Sequence, residues 1–172
     1  MNTWIDHQGI VAHSWWRYEG DAHGLAPDAD VLLPVEAYAE SRAVWHARTG
    51  RIGLVIGPTE DPQRIAPWLD QIDLIAVESA RFTDGRIFSL GRLLRDRLHW
   101  ERPLLAGGDL VIDQIPLLAR CGFDLFELAD RTRAQRALHL LANDPVHRLL
   151  AQSVGAHAPL PGSQTRRRIA LL

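Results

Sequence analysis

The sequence predicts an α/β fold, a mostly parallel sheet of repeated βα units that forms either an open sheet or a partial barrel. Three observations carry this expectation. Between Leu74 and Glu127, short apolar runs alternate with helix-length amphipathic stretches, the rhythm of βαβ crossovers. The runs themselves are apolar at consecutive positions, as strands covered on both faces require. The chain has 172 residues, too few for an eight-unit barrel, which usually takes ~250.

In chain order, residues 1–30 show no sustained period. They contain the turn-rich pieces Tyr18-Glu19-Gly20-Asp21 and Ala26-Pro27-Asp28-Ala29-Asp30, and so read as irregular with room for a short hairpin. Asp30 to Pro34 is a short extended segment. A helix then fits Val35 to Thr49, with Gly50 in the stop position. Four strands follow: Ile52 to Ile56, Leu74 to Val77, Leu104 to Ala106 and Phe123 to Phe126.

Between the strands, a helix over Asp61 to Leu69 has Asp61 as its cap and Pro62 at its first position, and Pro67 weakens its second half. The helix from Ile87 to His99 carries Leu90, Leu93, Leu94 and Leu98 on one stripe, with Asp96 able to pair with Arg92. A helix ending at Cys121 stops at Gly122. Its start lies at Asp113, which leaves Pro116 harmless in the first turn, or at Asp109, which makes Pro116 a kink. Asp130 caps a last helix that runs to Leu141, and His147 to Gln152 adds a turn or two. One domain is expected over 1–158, with its βα core at about 50–142. Residues 159–172, including Arg166-Arg167-Arg168, are expected to form a flexible tail.

Composition narrows the chemistry. Hydrophobic residues make up 47% and charged residues 23%, an ordinary globular balance. The formal net charge of -2 offers no general attraction for nucleic acid or acidic membranes. The single cysteine, Cys121, suits a reducing compartment and reads as a small core residue. With no long apolar run and no signal-like start, a cytoplasmic protein without a membrane partner is expected. The sequence contains no lysine, and all 19 basic residues are arginine. Schiff-base chemistry and the lysine of a phosphate-binding loop are therefore excluded for this chain.

In α/β folds, ligands bind at the carboxyl ends of the strands. That rule points to Glu78, Asp109 and Glu127 at successive strand ends, as candidate catalytic residues or as ligands of a divalent metal. Their plainer use is to cap the following helices and pair with arginines, Glu78 with Arg81 for example. Arg81, Asp84, Arg86 and Gln114 lie close by. The loop Arg81-Phe82-Thr83-Asp84-Gly85-Arg86 reads either as a solvated turn or as a contact for a small anion or a partner. Ser89 lacks a histidine partner and is no nucleophile. Gly53-Leu54-Val55-Ile56-Gly57 lacks the third glycine of a dinucleotide fingerprint, and the eight histidines show no metal-site spacing, so no cofactor motif is evident. Trp15-Trp16-Arg17 reads as an interaction patch, or as tryptophans divided between core and surface.

The central block resembles an uncharacterised bacterial family, domain of unknown function 934. The matching text is Leu74 to Glu78, Phe82 to Arg86, Ser89, Leu93 to Arg97, Gly108-Asp109, Asp113-Gln114 and Arg120 to Asp124, with Val31 to Pro34 as the family's N-terminal element. The likeness covers about residues 50 to 128. It departs at Ile87, where the family has a glycine, at Ile112, where it has an arginine, and at Pro116, where it has an aromatic. Members are described as oxidoreductases of sulfite reduction, and their genes often neighbour sulfite-reductase genes. The resemblance thus implies a role in assimilatory sulfite reduction and cysteine biosynthesis, with sulfite reductase as a partner. The residues show no cluster, haem, flavin or nicotinamide motif. Three readings stand: an accessory protein of sulfite reduction without its own redox cofactor, a small barrel-like metal-dependent enzyme using the strand-end carboxylates, and a non-catalytic paralogue acting as a binding module.

Overall fold

The computed structural model describes residues 2–21 and 24–144. Its strands are β1 (Thr3–Ile5), β2 (Ile10–Val11), β3 (Trp16–Arg17), β4 (Val31–Pro34), β5 (Ile52–Ile56), β6 (Leu74–Ser79), β7 (Leu104–Gly108) and β8 (Leu125–Leu128). Its α-helices are α1 (Val35–Glu40), α2 (Arg42–His46), α3 (Arg86–Asp96), α4 (Ile115–Arg120) and α5 (Arg131–Asn143), with 3-10 turns at Pro62–Gln71 and Ile112–Gln114. The eight strands form one sheet in the order β2-β1-β8-β7-β6-β5-β4-β3. Neighbours from β3 to β8 pair in parallel, whereas β1 pairs antiparallel with both β8 and β2.

The connection between the two edges settles the choice between a flat sheet and a partial barrel. β2 and β3 are opposite edges, yet only Ala12 to Trp15 join them. Five residue steps of extended chain span at most about 18 Å. Eight strands laid flat would put the edges ~34 Å apart. The sheet is therefore curled into an open half-barrel, with the segment Ala12 to Trp15 strapped across its mouth.

Strand alternation divides the side chains between two faces. Val31, Leu33, Leu54, Ile75, Val77, Leu104, Ala106 and Phe126 point outward and pack with Ile87, Leu90, Leu94, Leu118, Ala134 and Leu141 of the helices in the main core. Fully burying each of the larger of these side chains contributes about 1.5–3 kcal/mol. Leu32, Leu74, Ala76, Leu105, Leu125 and Trp4 point inward and form a second cluster with Val11, Trp15 and Val55. Both faces are thus covered, as the continuous apolar runs require.

Three aspartates tie the amino ends of the strands together by one device. Each stands just before a strand and accepts a backbone N–H from the neighbouring segment: Asp30 from Arg51 (2.9 Å), Asp73 from Ile52 (3.0 Å) and Asp124 from Leu104 (2.9 Å). They satisfy donors that the first ladder bonds leave open.

Several expectations are corrected. Residues 1–30 are not merely irregular, since they supply three strands and the buried Trp4 and Ile5. The hairpin is there, but at Asp6 to Gly9, where Asp6 Oδ1 accepts from the Gln8 and Gly9 amides (2.7 and 2.9 Å). The single helix over Val35 to Thr49 is broken at Ser41, whose φ of -132° is not helical. The strand expected at Phe123 starts at Leu125, and β6 and β7 run on to Ser79 and Gly108.

Other expectations hold. Asp61 caps its turn through the Gln63 amide (2.9 Å), and Asp130 caps α5 through Arg133 (2.8 Å). Pro116 is the second residue of α4 and kinks nothing, as the later of the two expected starts implied, although the helix begins at Ile115 and not at Asp113 or Asp109. Ile87 is a buried core residue in the first turn of α3. Gly122 ends α4 with φ 99°, the left-handed conformation that glycine adopts most cheaply. The added turn at His147 to Gln152 and the tail over 159–172 lie outside the described residues. No helix among the described residues is long and apolar enough to cross a membrane.

Candidate functional site

Two polar arrangements sit at the carboxyl ends of the strands, one inside the half-barrel and one on its rim. Inside, the alternation of β6, β7 and β8 brings Glu78, Gly107 and Glu127 onto the inner face. Glu78 is in register with Gly107. A Cβ on Gly107 would lie 3.0 Å from Glu127 Oε2 and 3.4 Å from Glu78 Cγ. Glycine here provides the space in which the two carboxylates converge.

Arg17 fills the gap between them. It comes from β3, the far edge of the sheet, and only the curl brings it across. Its Nη2 donates to Glu127 Oε2 at 2.9 Å, and its Nη1 donates to Glu78 Oε1. Glu127 Oε1 accepts from Asn2 Nδ2 (3.1 Å) and Trp4 Nε1 (3.3 Å), so both its oxygens are engaged. The Glu127 side chain is only 10% exposed, and burying such a charge requires this kind of compensation.

Burial is the largest single influence on the Arg17 guanidinium and by itself would lower its pKa. The charges and hydrogen bonds of Glu127 and Glu78 together outweigh it and hold the pKa above its usual value. His13 stacks on Trp4, with centroids 3.9 Å apart and planes at 19°. Burial lowers the His13 pKa; the Glu127 charge opposes that shift and Arg17 adds to it. The cluster works as a plug at one end of the inner space, with one guanidinium shared by two carboxylates. A divalent cation seated between Glu78 and Glu127 would first have to displace an arginine that both carboxylates hold.

The third expected carboxylate, Asp109, does not join them. It follows β7 through Gly108, whose φ is 83° and whose Cβ, if present, would lie 2.2 Å from the Ser79 carbonyl oxygen. The Asp109 amide donates to that same oxygen (2.8 Å). The Asp109 carboxylate is thereby aimed at the rim loop, where Oδ2 accepts from the Phe82 amide (3.2 Å). Gln114 grips the same residue from the other side: its Nε2 donates to the Phe82 carbonyl at 2.7 Å, and its Oε1 accepts from the Val111 amide at 3.2 Å.

Both backbone groups of Phe82 are thus clamped by side chains of the connection between β7 and α4, while the residue itself is 49% exposed. Asp84 and Arg86 pair with each other (2.7 and 2.8 Å), and the Arg86 hydrogen bond holds the Asp84 carboxyl below its usual range. Arg81 is exposed beside Phe82. The expected pair of Glu78 with Arg81 does not form, because Arg17 takes Glu78.

Sequence reasoning missed Arg17, His13, Trp4, Asn2 and the display of Phe82. The available signal was Trp15-Trp16-Arg17. The two tryptophans divide between the faces of the sheet, Trp16 against the outer core and Trp15 against the inner cluster, which puts Arg17 inside as well. Cys121 is half-buried against the outer core, and burial pushes its thiol pKa up, as an inert packing residue requires.

No curated protein matches the chain. The family described as "Bacterial protein of unknown function (DUF934)" matches residues 53–154. The chain belongs to this family, and the match takes in β5 to β8, the rim loop, Gly107 and both inner carboxylates.

Proposed function

We propose that the protein is an accessory of assimilatory sulfite reduction that works by docking onto sulfite reductase through the rim loop at Phe82. The process rests on the family resemblance. The mode rests on one observation: a large apolar side chain stands in solvent while Asp109 and Gln114 fix the backbone on both sides of it.

An exposed aromatic on a pinned loop has the properties of a binding anchor. It offers a large apolar area, and little conformational freedom remains to be lost on docking. Arg81 supplies a charge at the edge of the contact, where it steers the approach and fixes register. The partner surface that fits is an apolar pocket with an acidic rim. The role of Glu78, Glu127 and Arg17 is to hold the half-barrel closed behind this surface.

Growth of a deletion strain on sulfite or on sulfide as sole sulfur source tests the reading. Rescue by sulfide alone is expected, and a Phe82→Ala copy should fail to restore growth on sulfite although the protein accumulates. Equal growth of the deletion strain on both sources would remove the sulfite step from the account. Full complementation by Phe82→Ala would remove the loop.

A further inference from the structure

At the opposite end of the strands from the rim loop, the inner space opens into a cavity of about 430 Å³. We propose that this cavity is a binding site for a small, flat aromatic molecule that carries no negative charge. Its volume lies within the range of small-molecule pockets, and its walls have their usual character, mostly apolar with a few polar groups at the mouth.

The floor consists of Leu74, Pro103 and Leu125, and two tryptophans stand at its sides, Trp4 on β1 and Trp15 on the strap. The Trp15 indole has a place built for it. A Cβ on Gly53 of β5 would collide with Leu32 Cδ2 at 2.6 Å and come 3.3 Å from Trp15 Cζ3, so a side chain there would crowd the inner cluster on which the ring rests. Each indole is also oriented by a flat neighbour: the His13 ring stacks on Trp4, and the Arg51 guanidinium lies 4.9 Å from the Trp15 ring centroid. Fixed indole edges around an aliphatic floor favour another aromatic ring over a flexible chain.

The charge class follows from the rim. Arg51 is engaged by Asp30 through Nε (3.0 Å) and Nη2 (2.6 Å), and Asp73 holds the Ile52 amide. Burial keeps the His13 imidazole biased toward its neutral form. The Arg51 charge is therefore met within the protein, and an anionic ligand would lose its hydration without gaining a partner. Ser14 and His13 remain to meet one hydroxyl or carbonyl on the ligand. The Arg17 plug closes the far end, so the ligand enters under the strap.

The test uses the full chain and 2-naphthol as the probe, read by saturation-transfer NMR and by the methyl resonances of Leu74 and Leu125. Binding with shifts of both methyl sets is expected. Ser14→Trp, an exposed change that fills the mouth, should weaken binding at least tenfold, as should Trp15→Ala. Naphthalene-2-sulfonate, the charged analogue, should bind at least tenfold more weakly than 2-naphthol. The proposal is overturned if 2-naphthol does not bind, if both variants bind it as the parent does, or if the shifts fall on the Phe82 loop. Equal binding of the sulfonate would overturn the charge class.

Discussion

Replacing Arg17 with methionine keeps the apolar stem and removes the guanidinium that joins β3 to β6 and β8. A Cβ on Gly107 would lie 3.0 Å from Glu127 Oε2 and 3.7 Å from Glu78 Oε1. The two carboxylates therefore stand within about 7 Å, and at an effective dielectric constant near 20 they would repel by about 2.4 kcal/mol. Glu78 is 29% exposed and can swing toward water, which relieves roughly half of that. Glu127 is 10% exposed and loses its charged hydrogen bond, at a cost of about 2 kcal/mol. A net loss of about 3 kcal/mol follows, equivalent to a fall in Tm of roughly 6–12 °C for a chain of this length. Urea and thermal unfolding followed by tryptophan fluorescence measure it. Adding Glu127→Gln to Arg17→Met should recover about 2 kcal/mol, because the one carboxylate left, Glu78, can turn toward water. A coupling below about 0.5 kcal/mol would refute the idea that Arg17 locks the half-barrel.

Gly108→Ala should cost more than about 2 kcal/mol, since it combines a positive φ with a collision against the Ser79 carbonyl, and chemical denaturation would show it. Asp109→Ala should unpin the Phe82 amide at a cost of only about 1 kcal/mol overall, while hydrogen exchange at Phe82 and Thr83 rises sharply. The lowered pKa of His13 gives stability a pH dependence of definite sign. The unfolded chain binds a proton near the ordinary value of 6.5 and the folded chain resists it, so the contribution is complete above that pH. It is lost as pH falls from there through the lowered folded value. His13→Gln should remove this component of the stability–pH curve below the ordinary value of 6.5.

Much of the parallel core was legible because burial on both faces leaves a local signature. Ile52 to Ile56 is a strand with the bounds that its apolar run gives, and the caps at Asp61 and Asp130 follow from local hydrogen-bonding chemistry. The short strands of residues 1–17 left no such trace. A strand of two or three residues has no period to detect, and β1 and β3 owe their existence to neighbours more than a hundred residues and about fifteen residues away respectively. The break at Ser41 was hidden for a similar reason, since the apolar pattern continues through it.

The site was half legible. Glu78 and Glu127 stand at strand ends, as the rule for α/β folds requires. Their partner Arg17 could not be read, because it meets them only after the sheet curls. Asp109 was placed on the correct loop but given the wrong company, since the turn at Gly108 redirects its carboxylate to the Phe82 amide.

The most direct test of the docking claim is the affinity of the purified protein for purified sulfite reductase from the same bacterium, measured by biolayer interferometry. Saturable binding is predicted, with Phe82→Ala weakening it at least tenfold, about 1.4 kcal/mol, and leaving Tm unchanged. An absence of binding, or equal affinity for the parent and Phe82→Ala, would contradict the account.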